Sequence, residues 1–145
     1  MKRFLCILLF LGFGVMSFGT EVCAEQLQEY TAHITDPEFQ VMIEESMGEI
    51  ISTRANSRSF STKVTAGARY TSGYFHVSSG NSITVNATLS KSGKVGIISS
   101  SGTIRYVQGT SINHVFKIST TDDYCIFIQN LNSTAITATG SYAWN

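Results

Sequence analysis

The chain has 145 residues and a formal net charge of zero, with ten basic residues against ten acidic ones. Removal of an N-terminal export signal would leave about 120 residues, enough for one two-layer core and short for two domains. No apolar run reaches the roughly 20 residues a membrane span needs, so no transmembrane anchor is expected. With Cys6 and Cys23 in the signal region, Cys125 is the last cysteine of the mature chain, which excludes an intramolecular disulfide.

Taken in chain order, Lys2 and Arg3 precede the apolar run Phe4 to Met16, and small residues follow near Gly19 and Ala24. This pattern reads as a secretory signal over residues 1–24, cleaved after Ala24, and places the protein outside the cytoplasm, extracellular or at the cell surface. Thr20, Glu21 and Val22 make a poor lipobox before Cys23, so no lipid anchor is expected.

The zero net charge hides a split. From Glu25 to Glu49 there are seven acids and no Lys or Arg, and eight basic residues follow before the next acid, Asp122. Residues 25–58 form an acidic N-terminal segment. Asp36 suits an N-cap, Pro37 the first helical position and Glu38 the positive end of a helix dipole. Phe39, Met42, Ile43, Met47, Ile50 and Ile51 recur at three-to-four spacing, which predicts an amphipathic helix over 37–51. The polar stretch after it, through Arg54 and Arg58, reads as a linker.

From residue 59 to 145 the period drops to two. Strands are expected near 59–65, 72–78, 82–90, 94–99, 103–108, 112–119, 123–129 and 134–144, separated by turns such as Ser79-Gly80-Asn81, Ser92-Gly93, Ser101-Gly102 and Gly109-Thr110. Ile83, Val85, Ala87 and Leu89 alternate with Thr84, Asn86 and Thr88, as in a sheet with one wet face. The run Tyr124 to Ile128 is apolar on both faces and belongs at the centre. The expected fold is mainly β, an antiparallel sandwich, jelly-roll-like, of about eight strands preceded by one helix. Ile83, Val85, Leu89, Ile97, Phe116, Ile126 and Ile128 are its expected core.

Residues 74–142 carry a further cadence: Phe75 and Val77 before Gly80, Ile83 and Val85 next, Val95, Ile97 and Gly102 around a hairpin, then Tyr124, Ile126 and Ile128. In these positions the chain resembles the pre-peptidase C-terminal domain type, a small jelly-roll accessory module of secreted bacterial proteins. It departs from that type in lacking clear calcium-site acids. It is also similar to stand-alone secreted proteins of Gram-positive gut bacteria with no assigned activity.

The residues for chemistry are sparse. His33, His76 and His114 have no nucleophile and orienting group at a recognisable spacing, and G-x-S-x-G, H-E-x-x-H and P-loop patterns are absent. No catalytic residue, metal site or cofactor is expected, and Cys125 reads as a buried structural thiol. The basic residues from Ile50 to Asn145 exceed Asp122 and Asp123 by six, a field that attracts anions. Arg69, Tyr70, Tyr74, Lys94, Arg105 and Tyr106 are the candidate ligand-binding residues, cations beside aromatic platforms.

These features point to a secreted, non-enzymatic module that binds a surface carbohydrate or an anionic cell-envelope polymer; nucleic acid is not an expected partner, since no recognised module is present. Two alternatives stand beside it: the precursor of a cationic effector or antimicrobial domain shielded by its acidic segment, and a small secreted hydrolase. Ligand identity, oligomeric state and strand order are not encoded legibly.

Overall fold

Strands that alternate apolar and polar residues need a second layer to cover their apolar faces. A computed structural model of the chain, which describes residues 27–40, 43–46 and 56–145, provides that layer largely by bending one hairpin. The export signal over 1–24 lies outside the described residues, as do residues 52–55 of the linker and Met42, Met47, Ile50 and Ile51 of the expected helix.

The described residues are mainly β: β1 Tyr30–His33, β2 Ile43–Ser46, β3 Ser57–Val64, β4 Ala68–Thr71, β5 Phe75–Val77, β6 Ser82–Ser99, β7 Thr103–Lys117, β8 Asp122–Gln129 and β9 Ile136–Trp144. The hairpin of β6 and β7 is the spine. It turns at Gly102, whose φ of +91° is the left-handed conformation glycine adopts without penalty. Its ladder runs from Ile98 opposite Ile104 to Ser82 opposite Lys117, with a register shift between Thr88 and Gly93.

On one side of that shift, β9 pairs with β6 from Ile83 to Leu89, and β3 pairs with β9. On the other side, β8 pairs with β6 from Lys94 to Ser99, and β1, β4 and β2 extend the sheet in the order β1-β7-β6-β8-β4-β2. The two halves face each other across one core. Phe60, Val64, Ile136 and Ala138 come from the first half, and Val95, Ile97, Ile126 and Ile128 from the second. All seven expected core residues belong to it. A second cluster, Phe39, Ile98, Ile104, Tyr106, Cys125 and Phe127, lies on the outer face of the second half, so β8 is apolar on both faces because both are covered.

The structure corrects three expectations. Among the described residues the amphipathic helix is not formed: Pro37–Phe39 is a single 3-10 turn and Ile43–Ser46 is a strand running parallel to β4. Phe39 is 1% exposed and Ile43 is 44% exposed, so they do not share an apolar stripe. A segment this short gains more by giving its backbone to the open edge of β4 than by forming a lone helix. The turns expected at Ser92-Gly93 and Gly109-Thr110 are mid-strand positions, where Gly93 faces Gly109 across the ladder. A Cβ on Gly93 would stand 2.9 Å from the Gln129 carbonyl oxygen, so glycine marks a close approach at the bend. The strand expected near 72–78 is broken, with Ser72, Gly73 and Tyr74 between β4 and β5.

Two substitutions test this packing. Ile126→Ala, at a fully buried position of β8, should lower unfolding free energy in denaturant by about 2 to 5 kcal/mol. Gly140→Ala should also destabilise the domain, because its Cβ would press on the backbone of Asn86 and lie 2.9 Å from the Phe60 ring. An unchanged denaturation midpoint for either would contradict the placement.

Candidate ligand-binding site

Buried cations organise the outer face of the second half-sheet. Arg69 on β4 and Lys94 on β6 are 4% and 5% exposed, and a charge so far from water needs a close partner. The N-terminal segment supplies it. Glu38 accepts a hydrogen bond from Lys94 Nζ at 2.9 Å, and Glu44 on β2 accepts one from Arg69 Nη2. Both acids are half-exposed, at 52% and 55% of their side chains. Lys94 Nζ also lies 4.4 Å from the centre of the Phe39 ring and 4.7 Å from that of Tyr106, a cation–π arrangement. A third acid, Glu29, accepts from Arg105 Nε at 2.6 Å and pairs with His114 Nε2 at 2.7 Å.

Beside Glu44 the face opens into a cleft of about 300 Å³. Arg69 and Thr71 of β4, Tyr74, and Ser99 and Ser100 at the end of β6 supply polar groups, while Ile34, Ile98 and Cys125 supply apolar wall. The break between β4 and β5 is what brings Tyr74 here. It is 58% exposed, and burial of part of its side chain, with the Cys125 thiol nearby, raises its pKa. Burial likewise pushes the Cys125 thiol up to about 11, which keeps it a protonated wall of the cleft rather than a nucleophile.

The six candidate residues divide between two faces. Arg69, Tyr74, Lys94 and Tyr106 belong to the outer side, and of these Arg69 and Tyr74 share the cleft. Tyr106 is 7% exposed and is stacked on Tyr30 at 5.2 Å between ring centres. Tyr70 packs against the main core. Arg105 lines a separate hollow of about 110 Å³ with Ser101, Asp122 and Tyr124. Asp122 there has a lowered pKa because the Ser100 hydroxyl donates to it. Glu44, Thr71, Ser99 and Ser100 were not legible as site residues; the acidic run containing Glu44 was the one signal in the sequence.

The histidines bond elsewhere: His33 to Thr35 on an exposed turn, His76 to Asp123, and His114 to Glu29. Among the described residues no three His, Cys, Asp or Glu side chains are grouped to hold a metal ion, and no helix is long and apolar enough to cross a membrane.

No family model matches the chain, and no curated protein matches it in sequence. In three dimensions it is similar to PliG of Aeromonas hydrophila, a periplasmic inhibitor of g-type lysozyme, at 7% identity and a TM-score of 0.49, over 70% of this chain and 97% of that one. A mutant of the Escherichia coli PliG matches at 9% identity and a TM-score of 0.44, over 70% and 98%. The carbohydrate-binding module CBM36, solved with calcium and xylotriose, matches at 15% identity and a TM-score of 0.33, over 84% and 96%.

Phe39 tests the docking of the N-terminal segment. It packs edge-on against Tyr106 and Phe127, so Phe39→Ala should cost about 3 to 5 kcal/mol in denaturant unfolding. A loss of a few tenths would mean that the segment does not cover this face.

Cys125 gives a pH signature. Its folded-state pKa is raised, so the stability it contributes is complete below the unfolded thiol value of about 8.5 and is lost as pH rises through about 11. Stability should therefore decline across that interval, and Cys125→Ala should make the decline shallower, with the raised tyrosines Tyr74 and Tyr124 still contributing. A thiol reagent at pH 8 should label native protein slowly and unfolded protein quickly. Equal rates would place the thiol at the surface.

Proposed function

We propose that this chain is an exported, non-enzymatic module that binds carbohydrate on a surface, at the cleft shared by Tyr74 and Arg69. The observation that carries the reading is the company Tyr74 keeps: a half-exposed ring in one cleft with a buried guanidinium, Thr71, and the chain at Ser99 and Ser100, whose own hydroxyls bond to Ser101 and Asp122. Sugar rings present apolar C–H faces to an aromatic platform and hydroxyls at their rims, so one ring with convergent polar groups matches their chemistry. At about 300 Å³ the cleft is at the small end of ligand sites, which suits a chain end or a pendant sugar.

The charge arrangement favours this over broad adhesion to a polyanion. Arg69, Lys94 and Arg105, the cations expected to meet an anionic polymer, already hold Glu44, Glu38 and Glu29. It also favours retention of the N-terminal segment over a detachable pro-segment, since that segment contributes β1, β2 and Phe39 to the folded outer face. An accessory module on an exported protein is what the resemblance to the pre-peptidase C-terminal type implies.

A glycan array probed with the purified chain tests the reading. It should retain at least one glycan, and Tyr74→Ala should weaken that binding at least about tenfold, ~1.4 kcal/mol, with the thermal melt unchanged. Retention of full affinity by Tyr74→Ala, or an empty array, would overturn the assignment.

A further inference from the structure

The three nitrogens of the Arg69 guanidinium are treated unequally. Nη1 donates to the Phe39 carbonyl at 3.1 Å, and Nη2 donates to Oε1 of Glu44. Nε is shut off from solvent and has no hydrogen-bond partner among the described residues. A carboxylate meets a guanidinium best side-on, with two parallel N–H···O bonds to one edge, and Glu44 makes one of the two. A buried donor left without its acceptor is a standing cost of this arrangement.

Glu44 is also easily moved. Its side chain is 55% exposed, and it is carried by β2, four residues long and parallel at the very edge of the sheet. It lines the same cleft as Arg69, Thr71, Tyr74, Ser99 and Ser100.

We propose that the cleft takes the carboxylate of an acidic sugar on the Nε–Nη2 edge of Arg69, and that Glu44 is the tethered occupant it displaces. The inference rests on the cleft being a glycan site and adds the class of glycan. A planar carboxylate satisfies both donors of the edge where Glu44 satisfies one. The Tyr74 ring and Thr71 receive the rest of the sugar. A neutral sugar leaves Glu44 in place and Nε unpaired. Because Glu44 competes from within the chain, the affinity measured for an acidic sugar is reduced by the fraction of molecules in which Glu44 occupies the edge.

The test uses the whole chain and three probes: the methyl glycosides of glucuronic acid, N-acetylneuraminic acid and glucose, titrated by calorimetry. At least one acidic glycoside should bind ten or more times tighter than the glucoside. Glu44→Gln removes the competing charge and should raise the preference for that acidic glycoside over the glucoside several-fold, a gain that a merely structural Glu44 would not produce. Arg69→Lys keeps the charge and loses the fork, and should erase the preference; if that variant does not fold, Glu44→Gln decides. Acidic and neutral glycosides binding alike through Tyr74 would overturn the carboxylate assignment and leave the glycan site standing. No gain in that preference in Glu44→Gln would also overturn it. No binding of any probe by the parent or by Glu44→Gln would overturn it too, and the glycan site with it if the array is empty.

Discussion

Two cations buried on the outside of a β-sheet are the constraint on which the rest of this molecule turns. Arg69 and Lys94 sit among Phe39, Tyr106, Phe127 and Cys125, where an unpaired charge would be strongly destabilising. Their partners are outside the β-region proper, on Glu44 and Glu38. The acidic segment is thereby held by two forces at once: apolar burial through Phe39, and ion pairs whose cationic ends are buried while their carboxylates are half in water. Surface charge pairs of the same kind would be worth little. The uneven charge of the chain, acids first and bases after, is thus the record of one segment folded across another.

The bent hairpin is what makes that outer face available. Had β6 and β7 ended at Ser92-Gly93 and Gly109-Thr110, the two half-sheets would have been separate hairpins joined by loops. Because they continue through the bend, the same strands carry core residues such as Val85 and Ile97 inward while Ile98 and Ile104 point outward. The price is paid in glycine: a Cβ on Gly96 would run into the backbone of Arg105 and Tyr106.

The β-region was largely legible because period-two alternation is a local signal. Ile83, Val85 and Leu89 declare their face within seven residues, and Tyr124 to Ile128 declares a strand covered on both sides. The N-terminal segment was not, since Phe39 and Ile43 fit a helical spacing as sequence and only the open edge of β4, a non-local fact, decides for a strand. Strand length failed for a related reason: a glycine in a turn and a glycine at a bend look alike in sequence. Of the site, Arg69 and Tyr74 were legible as a cation and an aromatic with no local partner. Their meeting depends on the pairing of β4 with β8 and on the break at Ser72–Tyr74, which no spacing encodes.

The cleft also lies at a junction between parts of very different stability. Its floor, through Ile98 and Cys125, belongs to strands paired on both sides with fully buried neighbours. Its rim is β2, four residues paired on one side, with Ile43 exposed. Local opening in proteins follows such differences, so the rim should part from the floor far more often than the domain unfolds. A rigid floor keeps Arg69 and Thr71 in fixed relation, while a loosely held rim uncovers a cation that is otherwise closed to solvent. On the proposed reading of the cleft, selectivity would come from the floor and access from the rim. That division would let a buried arginine, which at first sight is only structural, serve a ligand from outside.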